Sequence, residues 1–193
     1  MNSLVEQTSD RRFRLGRLIS GGQTGVDRMA LDTAMKLGIC VAGWCPAGRL
    51  SETGPIPALY PLIETTTPRY AARTRMNVRD SDATLIFTWG TAAGGTALSA
   101  TFAKAMKRPH LMLDMQKCHI ETAVDELLTW LKREQPTTLN VAGPRATEAP
   151  ELMEHVRNVL TIAVAPVELF DAPPWPPPSR KPVRPRTLPL PDL

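Results

Sequence analysis

The stretch Ser20-Gly21-Gly22-Gln23-Thr24-Gly25 follows a short apolar run and opens what reads as a helix. Glycine lets the backbone take positive φ and admits a ligand to contact distance. A helix start offers unpaired N–H groups and a partial positive charge. Together these suit an anion such as phosphate, and Thr24 adds a hydroxyl. The spacing is neither G-x-G-x-x-G nor a Walker A, since no Gly-Lys-Ser/Thr occurs. Taken alone, the stretch reads equally well as a strand-to-helix turn.

A second junction of the same kind, FTWGTAAGGTALSA, sets Gly90, Gly94, Gly95 and Thr96 after another apolar run. A third, LNVAGPR, places Asn140 on a buried strand and Arg145 just past it. Arginine has the fork geometry to clamp a phosphate with two parallel N–H bonds, and its plain alternative is a surface side chain. Two glycine-rich junctions at equivalent strand ends point to one shared crevice. The phosphate-binding candidates are therefore Ser20, Gly21, Gly22, Thr24, Gly90, Gly94, Gly95, Thr96 and Arg145.

Carboxylates for acid/base work are scarcer. Glu52 and Arg49 fall in GWCPAGRLSETGPIP, a long irregular stretch, and loops of that length are usually functional or mobile. Arg73, Asn77 and Asp80 follow at i, i+4 and i+7, on one helix face. A solvated stripe is the plain reading; bracing of the loops is the other. Glu52 and Asp80 stand as catalytic candidates, with Asp27, Arg49, Arg73 and Asn77 supporting. No H-E-x-x-H, EF-hand or paired-cysteine pattern occurs, so no dedicated metal site is expected. Cys40, Cys45 and Cys118 read as free thiols in a reducing cytoplasm. His110, His119 and His155 have no nucleophile beside them in sequence, which weakens any triad.

These groups need elements to position them. The pattern predicts strands at Leu15–Ser20, Ile39–Ala42, Ala83–Thr88, Pro109–Asp114 and Thr138–Ala142. Helices are predicted from about Val26, and over Tyr70–Asp80, Thr96–Lys107, Ile120–Glu134 and Glu148–Val164. Stripes at Val124, Leu127, Leu128, Leu131 and at Leu152, Val156, Val159, Ala163 have helical spacing. Short strands without polar alternation belong to a parallel sheet covered on both faces. Strand–helix alternation then gives a three-layer, doubly wound α/β fold, whose ligands sit beyond the carboxyl ends of the strands.

The 193 residues divide by composition into an extension (1–14), a ligand-binding domain (15–167) and a proline-rich tail (168–193). Nine prolines fall within residues 171–193, so that segment is expected to be extended or disordered, to dock a neighbouring subunit through Trp175, or to bind a partner's SH3-like groove. Residues 1–170 carry 19 basic and 17 acidic side chains, so the net charge of +4 does not speak for nucleic acid. No apolar run is long enough to span a bilayer, and the N-terminal stretch lacks the apolar region of a signal peptide. A cytoplasmic protein is expected.

SGGQTGVDRMALD, GWCPAGRLSETGPIP, YPLIETTTPRYAARTRMNVRDSDATLIF, AGGTALSA and LNVAGPR occur in this order over residues 18–145. In combination they resemble the branch of the SLOG superfamily labelled molybdenum (molybdopterin) cofactor carriers, Rossmann-like relatives of the LOG, or lysine-decarboxylase-like, proteins. The resemblance covers about residues 16–165. It implies a phosphate-bearing ligand between the glycine loops, either molybdenum cofactor or a nucleotide, and a homo-oligomer, dimer or tetramer. LOG enzymes cleave nucleoside monophosphates with P-G-G-x-G-T closely followed by a glutamate. Here Leu98 and Ser99 stand where acids are wanted, which argues against phosphoribohydrolase activity. A carrier is the leading expectation; an N-glycosidase and a nucleotide-sensing interaction module are the alternatives.

Overall fold

The computed structural model describes residues 14–165, 168–169, 172 and 174–177. Five parallel strands form the main sheet: β1 (Arg17–Ile19), β2 (Cys40–Ala42), β3 (Ala83–Thr88), β4 (His110–Asp114) and β5 (Thr138–Ala142). Between and after them run α1 (Val26–Lys36), α2 (Tyr70–Asp80), α3 (Gly94–Ala105), α4 (Ile120–Glu134) and α5 (Leu152–Val164). Helices α1, α4 and α5 pack together, and α2 packs on α3, giving two helical layers around the sheet.

The strand order is β2-β1-β5-β3-β4. Counting β5 as the first strand turns this into 3-2-1-4-5, the Rossmann order, so the chain begins one strand late and returns to fill the centre. The winding of the chain reverses between β5 and β3, while the strands stay parallel. The chain leaves β5 for α5, in the layer of α1, and leaves β3 for α3, in the layer of α2. Ligands of such folds gather at this reversal, beyond the carboxyl ends.

Burial explains the strands. All six residues of β3 and all five of β5 are buried, as central strands must be when both faces are covered. Leu85, Phe87, Leu139 and Val141 join the apolar faces of α1, α4 and α5 in one core cluster. Polar residues in these strands pair internally: Asn140 Nδ2 donates to Thr84 Oγ1 at 3.3 Å.

Two predicted helix starts move. α3 begins at Gly94 instead of Thr96, so the glycines themselves form its first turn. α5 begins at Leu152 instead of Glu148, because Pro150 lacks an N–H and disfavours helical backbone before it. The irregular stretch after β2 is more ordered than its composition suggests. Trp44–Cys45 pairs in parallel with Ile63–Glu64, and Leu50–Ser51 forms a hairpin with Gly54–Pro55. Cys45 is fully buried, and burial pushes its thiol up, away from reactivity.

Of the proline-rich tail, residues 178–193 lie outside the described residues. Trp175, the residue expected to reach a neighbouring subunit, has partners within its own chain. Its ring lies 6.5 Å from that of Trp44 and 5.7 Å from the Arg17 guanidinium carbon of the same chain.

Candidate functional site

The two glycine junctions look alike in sequence and differ in space. At the β1–α1 junction the protein uses its own donors. Val26 N–H donates to the Pro144 carbonyl at 3.1 Å. Gln23 N–H donates to Asp27 Oδ2 at 3.3 Å, and Thr24 N–H to Gln23 Oε1 at 3.0 Å. The Thr24 hydroxyl donates to Glu52 Oε1, and Thr147 Oγ1 donates to Glu52 Oε2 at 2.7 Å. Ser20 Oγ donates to the Val141 carbonyl at 2.7 Å, tying β1 to β5.

The glycines here answer to packing. A Cβ on Gly21 would run into the Arg73 guanidinium. Gly22 lies beneath Leu62 and Ile56, and Gly25, at φ +84°, lies against the Pro144 carbonyl and Ala146. Arg73 Nη1 forms an ion pair with Asp27 Oδ2 at 2.8 Å, with side-chain exposures of 13% and 4%. Arg73 Nε is buried without a partner among the described residues.

The β3–α3 junction is open. A Cβ on Gly94 or Gly95 would meet nothing within 4 Å, and both residues are exposed. α3 has no side-chain cap and no acid in its first turn, whereas α1 carries Asp27 there. Thr96 is buried beneath the glycines, and Gly90 N–H donates to Asp114 Oδ1 at 2.7 Å, fixing the loop to β4. None of Gly90, Gly94, Gly95 and Thr96 lines a cavity with the α1 junction; Ser99, a turn further along α3, does. Gly21, Arg73 and Asn77 face Ser99 of α3 and Asn140 of β5 around a cavity of about 10 Å³, room for one water.

The supporting residues are placed as braces. Asn77 holds Trp44 by both backbone groups, accepting its N–H at 2.8 Å and donating to its carbonyl at 3.0 Å. Asp80 accepts from Trp44 Nε1 at 2.8 Å and pairs with Arg79 at 2.6 Å. Arg49 donates to the carbonyls of Ile56, Pro57, Tyr60 and Leu62 at 2.9–3.2 Å, and so folds its own loop. Arg145 lies 5.2 Å from the Tyr70 ring and adds positive potential at Glu52. A larger cavity of about 360 Å³ lies past the end of β4, lined by residues 115–121 and His155 and by none of the predicted site residues.

Burial pushes the Glu52 carboxyl up, but hydrogen bonds from Thr24 and Thr147 and the nearby Arg145 outweigh it, so Glu52 titrates below the usual carboxylate range. Sequence reading passed over Gln23, which sits inside the glycine motif, and Thr147, which reaches Glu52 across 95 positions. Nothing in the local sequence marks Thr147.

The late-starting strand order has its counterpart among known proteins. The model of the circularly permutated YpsA SLOG family matches residues 18–164. The chain belongs to this family. A solved structure from Syntrophus aciditrophicus SB, described as a "Putative molybdenum carrier protein", is 42% identical with a TM-score of 0.79. The match covers 80% of this chain and 98% of that one. No curated protein matches. Circularly permutated YpsA SLOG membership agrees with the resemblance read from the motifs and with the Rossmann-like α/β architecture. No helix among the described residues is long and apolar enough to cross a membrane.

Proposed function

We propose that this protein binds a phosphate-bearing, nucleotide-like small molecule at the carboxyl edge of the sheet, with its anionic group on the first turn of α3. The observation that carries this reading is the contrast between junctions. The glycines that open α3 are exposed, with nothing within 4 Å of a Cβ, whereas at α1 the Val26 and Arg28 N–H groups bond the Pro144 and Gln23 carbonyls and Asp27 stands in the first turn. An anion gains from an uncapped helix start and loses near a carboxylate. Arg73, with its buried Nε, adds positive charge at the crevice lined by Gly21 and Ser99.

The carrier label of the structural neighbour supports molybdenum cofactor as cargo. Its phosphate fits the open glycine turn. Among the described residues no group of three or more His, Cys, Asp or Glu is gathered for a metal ion. Such cargo would be held by its phosphate and ring.

N-glycoside cleavage is the second reading, and Glu52 is the observation in its favour. It is held ionised at the α1 junction, whereas Asp80 is taken by Trp44 and Arg79. Melting curves with inorganic phosphate, nucleoside monophosphates and molybdopterin test binding, and release of free base tests cleavage. Stabilisation that rises with ligand concentration and no free base is the expected result. Flat melting curves for every ligand would sink the binding reading.

A further inference from the structure

The α1 junction, with Asp27 in its first turn, presents an unsatisfied donor of another kind. Gln23 is 3% exposed, and its Oε1 accepts from Thr24 N–H and Glu52 N–H, both at 3.0 Å. Those two donors fix the amide, because flipping it would set an NH2 against two N–H groups. At its other end Nε2 is buried with no partner among the described residues. A buried donor left unpaired is costly, and an acceptor brought by a ligand removes the cost.

Glu52 stands in the same cluster, joined to Gln23 through its own backbone and through Thr24. The carboxylate accepts the hydroxyls of Thr24 and Thr147 and the backbone N–H of Thr147, three of about four lone-pair sites in its plane, and more than one donor can still share its outer edge. Among the described residues no cation ion-pairs with it. One junction therefore offers two charged acceptor sites and one neutral donor.

Resting on the binding reading above, we infer that Glu52 and Gln23 select the ligand's ring. The complement is a ring with two neighbouring N–H donors beside a carbonyl oxygen, the 2-amino-4-oxopyrimidine edge of guanine and of pterins. Adenine offers one donor beside a ring nitrogen and leaves a carboxylate oxygen unserved. Hypoxanthine lacks the amino group. The loop that carries Gln23 also supplies Gly21 to the crevice, opposite Ser99 and one turn from Gly95.

Calorimetric titration of the full chain with guanosine, inosine and adenosine monophosphates, neopterin monophosphate and inorganic phosphate tests this. Guanosine and neopterin monophosphates should bind at least about tenfold tighter than the other two nucleotides, the value of one hydrogen bond to a charged group. Comparing the first two tells which ring system is preferred. Glu52→Gln should erase the preference, bringing the guanosine and neopterin monophosphates to within about threefold of the adenosine nucleotide. Gln23→Glu keeps the acceptor that holds the loop, removes the donor, and should weaken the preference too. Equal affinity for all four ring ligands, or binding of phosphate alone, overturns ring selection and leaves the proposed function standing. No binding by any of the five overturns both.

Discussion

The guanidinium of Arg73 lies against the α-carbon of Gly21, and its Nη1 is 2.8 Å from Asp27 Oδ2. A helix from one layer thereby reaches into the first turn of a helix in the other. The glycine that looks like a phosphate contact is required first by an arginine of the chain itself.

Gly21→Ala should therefore destabilise the fold. The new methyl displaces the guanidinium from Asp27, and overpacking of this kind costs about 1–3 kcal/mol. Urea unfolding measures it; an unchanged midpoint would mean that Arg73 swings away freely.

Asp27→Asn should cost more. Breaking a buried pair leaves Arg73 uncompensated, a loss of about 3–5 kcal/mol, and the exposure of 13% on the arginine side puts the expected value at the low end of that range. The double variant Asp27→Asn with Arg73→Met should recover part of the loss. A double variant less stable than either single one would contradict the pairing.

Arg49→Lys should loosen the loop after β2 without touching the sheet. Arg49 bonds four carbonyls with a fixed fork, which a lysine cannot reproduce. Faster proteolysis between residues 50 and 62, with far-UV dichroism unchanged, is the expected outcome.

Glu52 gives an acid-side prediction. Its folded pKa lies below the ordinary value of 4.5, so the unfolded chain binds its proton first as pH falls. Its contribution is complete above the unfolded value and is lost as pH drops through the folded one. Glu52→Gln should flatten the fall in stability below about pH 4.5 and leave the slope near neutrality unchanged. Denaturant midpoints from pH 3 to 7 would show it.

Much of the fold was legible. The block Ala83–Thr88, the stripe along Ile120–Glu134 and the run Thr138–Ala142 carry their periodicity locally, and their ends match the structure. The ladders between Trp44 and Glu64 were not, because two-residue strands hold no period and depend on partners far along the chain. The difference between the glycine junctions was half legible. Asp27 in the first turn of α1, and the absence of any acid from that of α3, stand in the sequence. Arg73, Glu52 and Thr147 arrive from distant segments, and only the fold brings them there.

The most direct test of the account is titration of the wild type and of Gly95→Asp with guanosine monophosphate. Nothing lies within 4 Å of a Cβ at Gly95, and an acid in a helix first turn stabilises by about 0.3–1 kcal/mol, so the variant should fold as well as the wild type. Its carboxylate would occupy the place the account gives to phosphate. Saturable binding by the wild type, lost in the variant with melting temperature unchanged or raised, is the predicted result. A variant that binds as tightly as the wild type would contradict the seat on α3.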